Sequence, residues 1–398
     1  MVELDRVVAR LQKRMVEIRR HLHQYPEPSG EETETTRYLA QILTEAGLNP
    51  RLGPDDTGAI VDGGEVDSER RFAIRGDIDA LFIQDAKECE YRSQVQGVMH
   101  ACGHDAHSAC LIGSALALSE LSQAEQLPWP VPWRAILQPA EETSTGARDI
   151  IAQGGLETVD AIFALHLDPT RPVGEIALRD GAFTASCDEF EILVTGHGGH
   201  GARPHDAADP IAAATQLVNG IYQILPRRMN ALKPVVATIG KISAGHSPNV
   251  IPETAEMAGT LRTQDEKTRA KAKEVIEEIA AGVSKTTGCR IDVSFPFGCP
   301  GVLNDAELNG VLRRAAGSLP EGLRVEEMPD ASMGGEDFAE YTQHVPGSMF
   351  RLGCQPHGGG AMLHSPHFDL DERCLGIGVR LLTRAVILRA NPDFPCAN

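Results

Sequence analysis

Apolar residues recur at helical spacing along the start of the chain: Val7, Val8, Leu11, Met15, Ile18 and Leu22 fall on one face. They predict a first helix that stops before Pro26 and Pro28. Ser29 and Glu32 stand three apart in the form of a capping box, predicting a second helix towards Leu48 that Gly47 and Pro50 end. The pattern then changes to short apolar runs, each ending on a polar residue. Phe72-Ala73-Ile74 leads into Arg75-Gly76-Asp77-Ile78-Asp79, Ala135-Ile136-Leu137 into Gln138-Pro139-Ala140-Glu141-Glu142, and 161–165 into His166. A helical stretch over 108–121 lies between them. Strands alternating with helices predict an α/β fold with a mostly parallel sheet. In such sheets ligands collect beyond the carboxyl ends of the strands, where these polar residues stand.

The pattern differs again over 186–295. Phe190, Ile192 and Val194 alternate as a strand. Asp209-Pro210 is suited to open a helix through Leu225. Strands are predicted over 234–242 and 254–262, a charged helix over 266–283 and a last strand over 290–295. The order β-α-β-β-α-β is that of a ferredoxin-like α+β unit. The expected organisation is therefore a main domain over 1–185 and 296–398, with 186–295 inserted into it. The chain returns to the main domain with helices over 306–316 and 372–390. The run 127–133 is a Pro-rich loop.

Composition narrows the field. The 398 residues are 42% hydrophobic and 23% charged, as in an ordinary globular protein, and the formal net charge is −19. Such an acidic surface repels phosphate backbones, so neither nucleic acid nor an anionic membrane is an expected partner. No stretch reaches the roughly 18 apolar residues of a bilayer span, and the first residues lack a signal-peptide core. A soluble cytoplasmic protein is expected. Nine scattered Cys, an odd number, do not make a disulfide framework.

The densest chemistry is Met99-His100-Ala101-Cys102-Gly103-His104-Asp105-Ala106-His107. A thiolate and an imidazole separated by one Gly can turn onto one cation, and soft sulfur with nitrogen suits zinc, cobalt, nickel or manganese. The competing reading is a helix N-terminus whose His residues bond to nearby carbonyls. Glu141-Glu142 follows a strand outside any charge run. Two adjacent carboxylates can divide labour there, one binding metal and one carrying protons; their ordinary alternative is a solvated helix start. His166 alone suits a core residue, and Leu363-His364-Ser365-Pro366-His367 alone suits a surface loop. Together Cys102, His104, Glu142, His166 and His364 suffice for two cations about 3.5–4 Å apart.

Ten motifs carry a family resemblance: RRHLHQYPE, RGDIDAL, GVMHACGHDAH, LQPAEE, ALHLD, GHGGHGARPH, SPNVIP, GTLRT, MGGEDFA and LHSPHFD, in order from Arg19 to Asp369. In these the chain resembles the di-metal amidohydrolases that include hippurate hydrolase, N-acyl-amino-acid amidohydrolases and auxin-conjugate hydrolases, a branch of the aminoacylase and zinc carboxypeptidase superfamily. The resemblance implies metal-dependent hydrolysis of the amide bond of N-acyl amino acids, with two divalent ions. It implies Cys102, His104, Glu142, His166 and His364 as ligands, Cys102 bridging, and Glu141 as general base. It implies Asp79 as an orienting carboxylate, His200 as a group reaching the reacting carbonyl, and Asn249 and Arg262 as substrate-binding groups. Asp77 stands where the wider superfamily often has a His ligand and is left unassigned. Phe82 stands where relatives usually have Pro, a change that bears on substrate fit. The inserted unit, with exposed edge strands, is expected to act as a lid hinged near Ala185 and Pro296 and to pair two copies into a homodimer. A dipeptidase or carboxypeptidase of the same superfamily is the alternative, since both reactions break an amide beside a free carboxylate. A binding protein that has lost catalysis would lack Glu141 or a ligand, and none is missing.

Overall fold

A computed structural model describes residues 2–65, 68–319 and 322–394. The chain divides into two compact units, one of residues 1–183, 303–330 and 337–398, the other of 184–302 and 331–336.

The first unit is built on an eight-stranded mixed sheet. Its centre is parallel: Trp133–Gln138, Arg71–Asp77, Val159–Pro172 and Gly347–Gln355 lie side by side in that order. Strands Arg71–Asp77 and Trp133–Gln138 are buried along their whole length, as expected of strands covered on both faces. Antiparallel pairing appears towards the edges, where Ala59–Gly63 joins Trp133–Gln138 and Glu175–Leu178 joins Gly347–Gln355.

Helix Val2–Gln24 buries Val7, Val8, Met15, Ile18 and Leu22, the face the sequence predicts. It packs with Arg373–Arg389 on the central helix His104–Gln123. That central helix is buried almost all round, which suits the apolar and small residues that run through its middle. Two expectations need correction. Ser29 does not cap the second helix, which spans Thr33–Glu45; Glu27 does, its carboxylate accepting from the N–H groups of Glu34 (3.2 Å) and Thr35 (2.7 Å). The strand leading to His166 does not stop there. It runs on to Pro172 because parallel pairing with Gly347–Gln355 continues through Arg351↔His166 and Leu352↔Leu167.

The second unit has a four-stranded antiparallel sheet in the order Val235–Ala244, Thr254–Thr263, Ser186–Thr195, Arg290–Cys299. Helices Pro210–Arg228 and Glu266–Thr287 pack with it around Phe190, Val194, Leu217, Ile221, Met257 and Ile276. Asp209 caps the first helix as expected, accepting from Ile211 N–H at 2.9 Å. The cysteines among the described residues are all free; Cys396 lies outside them. No helix among the described residues is long and apolar enough to cross a membrane.

Candidate functional site

The carboxyl ends of three parallel strands place the chemistry. Arg71–Asp77 delivers Asp77 and, just beyond, Asp79; Trp133–Gln138 delivers Glu141 and Glu142; Val159–Pro172 carries His166. Cys102 and His104 flank Gly103, whose φ of 87° is open to glycine and strained for other residues. A Cβ at that position would also meet Leu167 Cδ1 at 2.7 Å. The reversal brings the thiol beside the first residue of helix His104–Gln123. His364 is brought in by its own backbone, its N–H donating to the Ala101 carbonyl at 2.8 Å.

All five ligands that the resemblance implies, drawn from four separate stretches of the sequence, form one contiguous cluster. Cys102 Sγ is 3.6 Å from His166 Nε2. His364 Nε2 is 3.6 Å from Glu142 Oε1, and His104 Nε2 is 3.8 Å from both Glu142 Oε1 and Glu141 Oε2. Donor atoms of Cys102, Glu142 and His364 lie within 4.8 Å of one another, as do those of His104, Glu141 and Glu142. The nitrogen–oxygen spacings are long for hydrogen bonds. They suit ligands of a shared ion, since two donors about 2.1 Å from a tetrahedral centre are roughly 3.4 Å apart.

Outer hydrogen bonds aim the rings. His104 Nδ1 is 3.0 Å from both the Asp79 carbonyl and Asp79 Oδ1, and His166 Nδ1 donates to the Leu167 carbonyl at 2.8 Å. Each Nε2 is thereby turned into the cluster. Asp79 is itself held by Ser29 Oγ at 2.7 Å and by the Glu142 N–H at 3.0 Å. Burial raises the Asp79 carboxyl, but hydrogen bonds from His104 and Ser29 outweigh it and hold it below the usual range.

Buried atoms left over by the protein test whether a metal fits. His104 Nε2 and Glu142 Oε1 are both buried with no hydrogen-bond partner, which is costly unless something else binds them. Burial pushes the Cys102 thiol and the Glu142 carboxyl up, and it pushes the His166 imidazole well down. A divalent cation would reverse the penalty on thiolate and carboxylate and needs the neutral imidazole. Thiolate, carboxylate and imidazole together are a transition-metal donor set, so the residues fit.

Asp77, left open by the sequence, is buried against His107 and Arg75. His107 Nε2 accepts from the Leu167 N–H at 3.0 Å, so its Nδ1 carries the proton and donates to Asp77 Oδ1 at 2.7 Å. Arg75 Nη1 donates to Asp77 Oδ2 at 2.6 Å. With both ring nitrogens engaged, His107 ties helix His104–Gln123 to Asp77 and Leu167. Arg75 also grips Gln138 and Asp337, and Asp337 accepts from Gln138 Nε2 (2.8 Å) and from the Ala147 N–H (3.1 Å). The sequence gives no signal for these residues beyond the motifs that contain them. Phe82, in the segment after Asp79, is 78% exposed.

The remaining site residues lie in the second unit. Strand Gly199–His200 pairs with Val250–Ile251. His200 Nδ1 accepts from the Ala202 N–H at 3.0 Å, which fixes the proton on Nε2 and makes the exposed ring a donor. Asn249 Oδ1 accepts from Ser247 Oγ at 2.8 Å, which turns its amide NH2 outward as a donor. Arg262 Nη1 donates to the Met333 carbonyl at 2.9 Å.

The model of the peptidase family M20/M25/M40 matches residues 73–388. The chain belongs to that family. It is a hydrolase of amide bonds, as the motif resemblance implies. Among similar proteins of this family, an N-acetyl-L-cysteine deacetylase of Bacillus subtilis is 38% identical over 92% of this chain and 85% of its own. Thermostable carboxypeptidase 1 of Saccharolobus solfataricus is 34% identical over 94% and 95%. The crystal structure of YXEP from B. subtilis, described as a dinuclear metal binding peptidase, superposes with a TM-score of 0.82 at 34% identity, covering 96% of this chain and 99% of that one.

Proposed function

We propose that the protein removes the acyl group from N-acyl amino acids by metal-dependent hydrolysis, with Cys102, His104, Glu142, His166 and His364 holding two divalent ions and Glu141 acting as general base. The observation that carries this is a pair of adjacent carboxylates that face different neighbours. Glu142 faces both His104 and His364, while Glu141 stands beside His104 at the edge of the same cluster. Bound ions would supply Lewis acidity, making water a stronger nucleophile at neutral pH and polarising the substrate carbonyl. Zinc, manganese, cobalt and nickel all suit the donors.

The residues divide the remaining work. Glu141 takes the proton from the attacking water and returns it to the leaving amine. Asp79 keeps His104 oriented through its Nδ1. His200, fixed as an Nε2–H donor, stabilises negative charge as it develops on the acyl oxygen. Asn249 and Arg262 recognise the amino acid's carbonyl and carboxylate, and the guanidinium fork suits a carboxylate better than a neutral amide.

The carboxypeptidase relative keeps exopeptidase cleavage as a second reading. A panel of N-acetyl, N-benzoyl and dipeptide substrates, assayed with each metal restored in turn, ranks the two. Glu141→Ala is expected to abolish turnover while metal content, measured by elemental analysis, stays near that of the parent; substantial residual turnover removes Glu141 from its role.

A homodimer paired through 186–295, with that segment acting as a ferredoxin-like lid, belongs to the same reading. It is supported by Val235–Ala244, an edge strand that leaves Val236 and Ile242 exposed. Light scattering on the purified protein tests the pairing.

A further inference from the structure

We infer that Glu32 is a positioning residue for Glu141: its buried carboxylate holds the Ala140 N–H and so fixes the left-handed turn that presents the base. The inference rests on reading Glu141 as that base.

Glu32 is fully buried and stands at the N-cap of helix Thr33–Glu45, yet its side chain caps nothing there. Glu27 serves that helix instead. Glu32 reaches across to Ala140, whose N–H donates to Glu32 Oε1 at 2.7 Å. Burial, partly offset by backbone amides, raises the Glu32 carboxyl to about 7. A buried acid is expensive to keep, and among the described residues the hydrogen bond it makes to the turn that carries Glu141 is this one amide.

The amide needs such an anchor. Ala140 has φ of 52°, a conformation that a residue with a Cβ rarely adopts. Its carbonyl is well served, accepting from the N–H groups of Thr145 and Gly146 and from Thr143 Oγ1, each at 3.3 Å. Its buried N–H has Glu32. On the other side of the base, the Glu142 N–H donates to Asp79 Oδ2 at 3.0 Å. Two carboxylates thus grip the backbone amides immediately before and after Glu141.

The two grips share a source. Ser29 Oγ holds Asp79 and Glu32 holds Ala140, so the segment that reads as a capping box works as a clamp on the catalytic turn. Asp337 secures the outer ends of that turn through Gln138 and Ala147. The residues flanking Glu141 are the ones left to Glu32 and Asp79.

The experiment uses metal-loaded full-length enzyme and an N-acetyl amino acid that it hydrolyses. Glu32→Met fills the space without an acceptor and Glu32→Gln restores one. With Glu32→Met, kcat is expected to fall roughly ten- to a hundredfold, the scale of a small misplacement of a reacting group, with KM and bound metal little changed. Glu32→Gln is expected to recover kcat to within about threefold of the parent, because its Oε1 can still accept the Ala140 N–H. Adding Ala140→Gly to Glu32→Met is expected to recover part of the loss, since glycine holds positive φ without help. Unchanged kcat in Glu32→Met overturns the inference, as does an equal loss in Glu32→Gln. Should Glu32→Met fail to fold, the kcat of Glu32→Gln with and without Ala140→Gly decides, and a large loss that glycine does not relieve overturns it. Glu141→Ala run in parallel separates the two ideas: turnover persisting there removes the base assignment, whereas a fully active Glu32→Met removes only the clamp.

Discussion

Glu32 also makes stability depend on pH. Its folded-state carboxyl is raised by burial to about 7, so the folded chain binds a proton that the unfolded chain has lost between the ordinary glutamate value and neutrality. The contribution is complete below the unfolded value and fades as pH rises through 7. Urea unfolding from pH 4 to 8 at constant metal should show a downward slope with rising pH that Glu32→Gln flattens; parallel curves would contradict the burial effect. At this scale the cluster of Cys102, His104, Glu142, His166 and His364 is legible from sequence because thiols, imidazoles and carboxylates at strand ends have few structural uses in common. Ser29 and Glu32 are misread for the opposite reason. Their spacing has a cheap local explanation, while their partners Asp79 and Ala140 lie 50 and 108 residues away.

Elements are legible where one periodicity dominates. The first helix, the central strands and the alternation over 186–195 all announce themselves through their buried faces. The length of Val159–Pro172 does not, because its continuation depends on a partner strand near residue 350. The turn 139–145 is likewise built by close approach. A Cβ on Gly146 would lie 1.6 Å from the Pro139 carbonyl oxygen, so Gly146→Ala must displace backbone on the turn that carries Glu141. Overpacking of this kind costs about 1–3 kcal/mol or more. A lowered denaturant midpoint together with lost turnover is the expected result, checked by chemical unfolding and a rate assay; wild-type values would show that the turn yields easily.

Across the whole molecule, ions in the cluster would tie together residues contributed by the helix start at 104, the turn at 141–142, the strand at 166 and the loop at 364. A ligand that binds only the folded state stabilises it by about 2.7 kcal/mol at a hundredfold excess over Kd. Removing metal with a chelator should therefore lower Tm by several degrees, and adding back the native ion should restore it; a Tm indifferent to chelation argues against tight binding. Cys102→Ser, which replaces the soft donor, should weaken that restoration for zinc. The acidic composition does not build the proposed centre; the cluster is assembled by pairings between strands distant in sequence.

His364 stands 198 residues after His166, the nearest in sequence of the other four proposed ligands. During translation Cys102, His104, Glu142 and His166 emerge from the ribosome long before their last companion. Under the proposed ligand set, a chain that has not yet docked the 364 loop on the Ala101 carbonyl would offer an incomplete set of donors, and the full set would form only with that contact.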